Sequence, residues 1–202
     1  MSLKFLSGVV VALAIAATPA LACKGRNVVL ADDFSKEDPA WSRVFGEFAI
    51  TGGKATLKGE PGFIAMAAYE GEFFDAGDGC IDVTFPDGGR QIPGIGGFAF
   101  GITDKDNFYA MFVNADGVAG ILRLSKGKWL QPVPARKSDA LKTGAGATNT
   151  LRITLKGTAA TTYINDKPFA QINVPTIAGT KMGMYAEPEG LVWQFDNVKI
   201  TD

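Results

Sequence analysis

From Val28 onward the chain alternates short apolar or two-faced runs with turn residues, and no stripe of helical period emerges. Cys80 to Phe85 alternates cleanly: Ile81, Val83 and Phe85 fall on one face, and Cys80, Asp82 and Thr84 on the other. Asn149 to Lys156 repeats the pattern, with Leu151, Ile153 and Leu155 opposite Arg152, Thr154 and Lys156. A period of two marks strands with unlike faces. Phe45 to Ile50 and Lys54 to Lys58 are joined through Thr51-Gly52-Gly53, which reads as a hairpin. Further runs cover Phe63–Tyr69, Phe98–Ile102, Phe108–Val113, Ala119–Leu124, Ala160–Asn165, Phe169–Val174, Lys181–Ala186 and Leu191–Ile200. Gln131 to Ala147 holds two prolines and many small residues and reads as a long loop, with a short helical turn near Ser138 to Lys142. About a dozen strands at this spacing predict an all-β fold, a sandwich or barrel. No repeat of fixed period supports a propeller or solenoid.

The first residues break this pattern. Lys4 precedes an uncharged run from Phe5 to Ala17, and Ala20-Leu21-Ala22 stands directly before Cys23. A basic start, a short apolar core and a small-x-small site form a secretory signal. The run is shorter than the ~20 apolar residues of a membrane span. Residues 1–22 are therefore expected to be a cleaved signal peptide, leaving residues 23–202 as one β-sandwich domain with no transmembrane segment, in the periplasm or secreted. The order Ala20-Leu21 inverts that of a lipoprotein box, so ordinary cleavage is favoured and lipidation of Cys23 is the alternative.

Cys80 is the second of two cysteines. In an oxidising compartment an even count predicts a Cys23–Cys80 disulfide. The chain has 20 basic and 21 acidic residues; Lys4 alone lies in the leader, so residues 23–202 carry 19 against 21, a net charge of −2. No basic stripe is available for nucleic acid, and none is expected as a partner. There is no histidine, which removes Ser-His-Asp and Cys-His catalysis and histidine metal sites. Any catalysis would fall to carboxylates, Lys, Tyr or a bound metal.

Several phrases occur together: Asp32-Asp33-Phe34 with Trp41, Gly46 to Gly53, Asn107-Phe-Tyr109, Asn149 to Ile153 with Thr162 to Asp166, and the closing Phe195 to Ile200. In this order the chain resembles the concanavalin-A-like jelly rolls (lectins, glucanases and laminin-G-like modules), and most nearly the bacterial 3-keto-disaccharide hydrolase-like domains. The resemblance implies a two-sheet antiparallel jelly-roll sandwich, with ligands on a concave face or its rim loops. The glucanase branch carries Glu-x-Asp-x-x-Glu on one strand, an alternation that sets acids at glycosidase spacing. The nearest segment here, Cys80 to Phe85, supplies Asp82 alone.

No catalytic set is therefore expected, and a saccharide is the expected partner. If Phe195 points inward, so does Trp193, and Gln194 points out. If Phe108, Ala110 and Phe112 face the core, then Tyr109 faces outward, joined by Arg123. Tyr109, Arg123 and Gln194 then predict a polar–aromatic patch that packs a sugar ring and fixes its hydroxyls. Trp129 follows a polar turn and is placed on an exposed rim or as a cap on the sandwich edge. Arg90 sits in the loop Asp87 to Pro93, able to approach the ligand face. No cofactor and no metal site are expected; Asp32, Asp33 and Asp196 are better used in turns and salt links than around structural calcium. Two rival readings stay open. One is a sugar hydrolase or lyase using Asp82 or Glu187 with a second acid. The other is a structural or protein-interaction domain of the envelope.

Overall fold

The computed structural model describes residues 23–60, 64–70, 77–87, 94–175, 180–187 and 190–202. Strands follow one another through the chain: β1 (Val28–Asp32), β2 (Trp41–Phe45), β3 (Glu47–Ile50), β4 (Ala55–Lys58) and β5 (Ala65–Tyr69). Next come β6 (Gly77–Thr84), β7 (Ile95–Asp104), β8 (Asn107–Val113), β9 (Val118–Ser125) and β10 (Lys128–Lys137). The last five are β11 (Thr148–Lys156), β12 (Ala159–Ile164), β13 (Lys167–Asn173), β14 (Lys181–Glu187) and β15 (Val192–Thr201).

They form two antiparallel sheets. One runs β13-β12-β11-β6-β15-β4-β3, with β1 added against β15; the other runs β10-β9-β8-β7-β14-β5-β2. The expected all-β jelly-roll sandwich is what the chain adopts. No helix among the described residues is long and apolar enough to cross a membrane.

The core lies between the sheets. Ile81, Val83, Leu151, Ile153, Trp193 and Phe195 come from the eight-stranded sheet, and meet Phe98, Phe100, Tyr109, Met111 and Met184 from the seven-stranded one. A second buried cluster draws only on strands of the seven-stranded sheet: Met66, Ala68, Ala99, Ile102, Phe108, Ala110, Leu124 and Tyr185. It therefore lies on that sheet's other, outer face. Both faces of this sheet are apolar, a departure from the polar-out rule of a simple sandwich.

Gly46 has φ +68°, and a Cβ there would crowd Ala65 and the carbonyl of Lys58. At this glycine the run from Phe45 to Ile50, read above as one strand, breaks in two and passes from the seven-stranded sheet (β2) to the eight-stranded one (β3). The Gly52-Gly53 hairpin joins β3 to β4 as expected, Ile50 opposite Ala55. The expected loop from Gln131 is instead the continuation of β10 to Lys137. β10 is an edge strand whose pairing with β9 slips twice, and an edge tolerates Pro132 and Pro134 because a missing N–H costs nothing on the open side. Residues 138–142 form a hydrogen-bonded turn, Leu141 N–H donating to the Ser138 carbonyl at 3.1 Å, not a helical one.

Cys23 and Cys80 are disulfide-bonded, Cα atoms 5.7 Å apart. The bridge fastens the start of the described chain to β6. Beside it Arg152 of β11 pairs with Asp78 of β6 at 3.2 Å, both largely buried. The guanidinium also lies 3.8 Å from the Tyr163 ring centroid.

Candidate functional site

The expected patch of Tyr109, Arg123 and Gln194 is not assembled. Tyr109 belongs to the core between the sheets and is 5% exposed. The assumption that Phe108, Ala110 and Phe112 face that core was inverted: Phe108 and Ala110 are on the outer face and Tyr109, Met111 and Val113 on the inner one. Alternation alone cannot orient a strand whose two faces are both apolar. Arg123 does share Tyr109's face, being its register partner across β8 and β9, and covers its ring at 5.0 Å. That face turns inward at the edge of the core. Gln194 points outward as expected, between the buried Trp193 and Phe195, but from the eight-stranded sheet, opposite Thr84 and Thr56. It lies on the far side of the sandwich. Arg90 is outside the described residues.

Trp129 has a different setting. It is the second residue of β10, opposite Leu124 of β9, and remains 47% exposed. Its ring stands edge-on to Phe108 at 5.8 Å and 85°, and to Tyr185 at 6.4 Å and 67°. Phe108 and Tyr185 are themselves 6.0 Å apart. Edge-to-face aromatic contacts of this kind hold a ring in one orientation. The result is an exposed indole seated on two buried rings, on the outer face of the seven-stranded sheet.

A carboxylate adjoins this cluster. The Tyr185 hydroxyl donates to Glu187 Oε1 at 2.6 Å. Burial pushes the Tyr185 phenol well above its ordinary range, and the charge of Glu187 and the hydrogen bond to it add to the rise. Tyr185 therefore stays protonated and keeps donating, and Glu187 retains accepting capacity on Oε2. Sequence reasoning named Glu187 as a candidate acid, turned Phe108 toward the core and did not name Tyr185. The alternation of Lys181 to Glu187 held the signal: Met182, Met184 and Ala186 line the core, so Lys181, Tyr185 and Glu187 share the other face.

Between the aromatic cluster and β2, registered neighbours on that face are small: Ala110, Ala99, Gly183 and Ala68 face one another across β8, β7, β14 and β5. All four are buried, so the larger side chains on either side close over them. Two residues beyond Ala68, Glu70 is held by Lys181 and Ser42, and the bond from Lys181 depresses its pKa.

Asp82 lies on the other sheet, on the outer face of β6, directly opposite Asp196 of β15. Thr150 donates to Asp82 Oδ1 at 2.5 Å and Asn197 Nδ2 to Oδ2 at 2.9 Å. Asp196 accepts from Asn197 N–H and pairs with Lys54 at 3.6 Å. Asp82 and Glu187 thus stand on opposite sides of the sandwich and cannot act together. Asp32 and Asp33 are spent in turns: Asp32 accepts from Phe34 N–H and from the Trp41 indole, each at 2.8 Å, and Asp33 from Ser35 N–H.

Similarity to known proteins is confined to the fold. No protein-family model and no curated protein sequence matches the chain, and the nearer resemblance to 3-keto-disaccharide hydrolase-like domains gains no support. Solved structures do match. The carbohydrate-binding module CBM66 from Bacillus subtilis superposes with a TM-score of 0.66 at 17% identity, over 80% of this chain and 96% of its own. The laminarinase catalytic domain from Thermotoga maritima gives 0.62 at 10% identity, over 89% and 99%. The Bacillus licheniformis β-glucanase gives 0.59 at 12%, over 86% and 97%. The fold is the concanavalin-A-like jelly roll, an architecture that serves binding modules and catalytic domains alike.

Proposed function

We propose that this is an exported carbohydrate-binding module, working without catalysis, in which residues 1–22 are removed and residues 23–202 act as one oxidised domain. The observation that carries the reading is Trp129: a large indole left nearly half exposed yet fixed by Phe108 and Tyr185. An exposed rigid aromatic presents apolar area to the C–H face of a sugar ring at low entropic cost. Glu187, beside it, supplies an acceptor for a hydroxyl. The solved carbohydrate-binding module of the same fold supports the class of ligand. The disulfide supports export, since such bonds persist in oxidising compartments.

The test is a thermal-shift series with oligosaccharides on the protein purified after export. A sugar at a hundred times its dissociation constant stabilises by about 2.7 kcal/mol, and Trp129→Ala is expected to abolish the shift. No shift with any sugar at millimolar concentration, or a shift unchanged in Trp129→Ala, overturns the proposal.

One observation favours a second reading, a sugar hydrolase. Asp82 and Asp196 are outward-facing register partners on adjacent strands, and a retaining glycosidase places two carboxyl groups about 5–5.5 Å apart. Against it, both carboxylates already hold protein donors. Release of reducing sugar that disappears in both Asp82→Asn and Asp196→Asn would establish this reading; its absence removes it.

A further inference from the structure

On the outer side of the eight-stranded sheet lies a cavity of about 920 Å³. It lies between the segment Ala31–Pro39 and the strands β6, β11 and β15, with Asp82, Thr150 and Asn197 on its wall and the Cys23–Cys80 bridge at one side. Small-molecule sites measure roughly 300–1,000 Å³, so the space admits a ligand of several rings. The residues around it are mainly charged, amide and hydroxyl ones, with Ala31, Pro39, Val198 and the disulfide among them, so polar tips and apolar surface share its wall.

The state of those groups narrows the ligand. Lys36, Lys142 and Lys199 line the cavity, and their ammonium groups have no ion-pair or hydrogen-bond partner among the described residues. The acids are mostly engaged. Asp32, Asp33 and Asp38 accept from nearby backbone N–H groups, Asp166 pairs with Lys24 at 3.6 Å, and Asp82 holds Thr150 and Asn197. Donors are thus free on the lysines, and lone pairs remain on the carboxylates. A hydrocarbon would strand these groups without partners. A polyanion would meet the carboxylates, and a polycation the lysines. A neutral ring bearing many hydroxyls, each both donor and acceptor, satisfies both sets.

We propose that this cavity is a second saccharide site, on the opposite side of the sandwich from Trp129. The inference extends the reading of Trp129 as a sugar platform, but stands on a different sheet and different residues. With one site on each outer face, a single chain bridges two glycan strands, or two segments of one strand, and gains avidity without any new contact.

Calorimetric titration of the exported protein with β-1,3-glucan, β-1,4-glucan and xyloglucan oligosaccharides tests it. Two sugars per chain are expected for the wild type, one for Trp129→Ala, and one for Lys142→Ala/Lys199→Ala. The lysine variant should keep the wild-type urea midpoint, because neither ammonium has a partner to lose. Polymeric β-glucan should turn turbid with the wild type and with neither variant. A single site lost in Trp129→Ala and untouched by the lysine changes overturns the cavity proposal and leaves the platform standing. A single site lost only in the lysine variant overturns the platform and keeps the cavity. No binding by any of the three probes overturns both.

Discussion

Arg123 lies 5.0 Å from the ring centroid of Tyr109, and Tyr109 stacks on Phe100 at 5.3 Å and 21°. The three form a column at the inner edge of the seven-stranded sheet, with the guanidinium at its outer end. These residues belong to the packing between the sheets. Tyr109→Ala is expected to cost about 3–5 kcal/mol of stability, as truncation of a buried aromatic does. Arg123→Ala should cost about 0.5–1 kcal/mol, the worth of a partly exposed cation–π contact. Urea denaturation measures both. A sugar-specific loss in Arg123→Ala with unchanged stability would reverse the assignment.

Alkaline pH should loosen the fold through its tyrosines. Burial raises the pKa of Tyr185 and of Tyr109 above the ordinary 10.0, Arg123 partly offsetting the rise at Tyr109. Above that value the unfolded chain releases protons that the folded chain retains, so stability is intact below about pH 10 and falls as pH climbs further. A fully retained proton corresponds to about 1.4 kcal/mol per pH unit. Urea midpoints between pH 8 and 11.5 should show this decline, and Tyr185→Phe should flatten it. A midpoint equally steep in the variant would exclude Tyr185 as the cause.

Gly96 of β7 packs against Trp193 of β15 so closely that a Cβ would enter the indole ring. Trp193 is buried and also meets Phe85 edge-on at 5.8 Å, so it has little room to move. Gly96→Ala is expected to destabilise by about 1–3 kcal/mol through overpacking. The near-ultraviolet circular dichroism of the tryptophans should change with it. An unchanged midpoint would mean that the sheets separate more easily than this packing implies.

The Cys23–Cys80 bridge closes a loop with a sequence separation of 57. In the chain-entropy account such a loop contributes about 4 kcal/mol. Reduction, or Cys23→Ser with Cys80→Ser, should lower the urea midpoint accordingly. Sugar binding at Trp129, on the other sheet, should survive at concentrations of urea well below the new midpoint.

The parts of the fold visible in the sequence were those where one face of a strand is polar. Cys80 to Phe85 and Asn149 to Lys156 belong to the eight-stranded sheet, whose outer face carries Asp82, Thr84, Thr150 and Thr154, and their orientation could be read directly. The same holds for Trp193 and Phe195 around Gln194. In β8 the sequence Asn107 to Val113 is apolar on both sides, and the period of two says which residues belong together without saying which set faces in. Tyr109 and Arg123 were therefore rightly paired and wrongly turned. Trp129 was legible as an aromatic after a turn, but its two supporting rings come from strands far away in sequence. The switch of sheets at Gly46 was hidden for a related reason: its positive φ and the crowding by Lys58 and Ala65, residues later in the chain, call for glycine there.

The two ends of the described chain meet. Gly25 N–H donates to Thr201 Oγ1 at 3.0 Å, Arg26 N–H to the Asp202 carbonyl at 2.9 Å, and Asp202 N–H returns to the Asn27 carbonyl at 3.1 Å. Tension applied to the two ends would thus enter at a single corner, where these few bonds lie. The N-terminal pull meets Cys23 before any of them, so the disulfide passes that load straight into β6, while the opposing pull arrives in β15, the strand beside it. The force would close its circuit between neighbouring strands, around Cys80 and its partner Lys199. The sheet that carries Trp129 would hang outside that circuit, its aromatic face undistorted while the tether is taut.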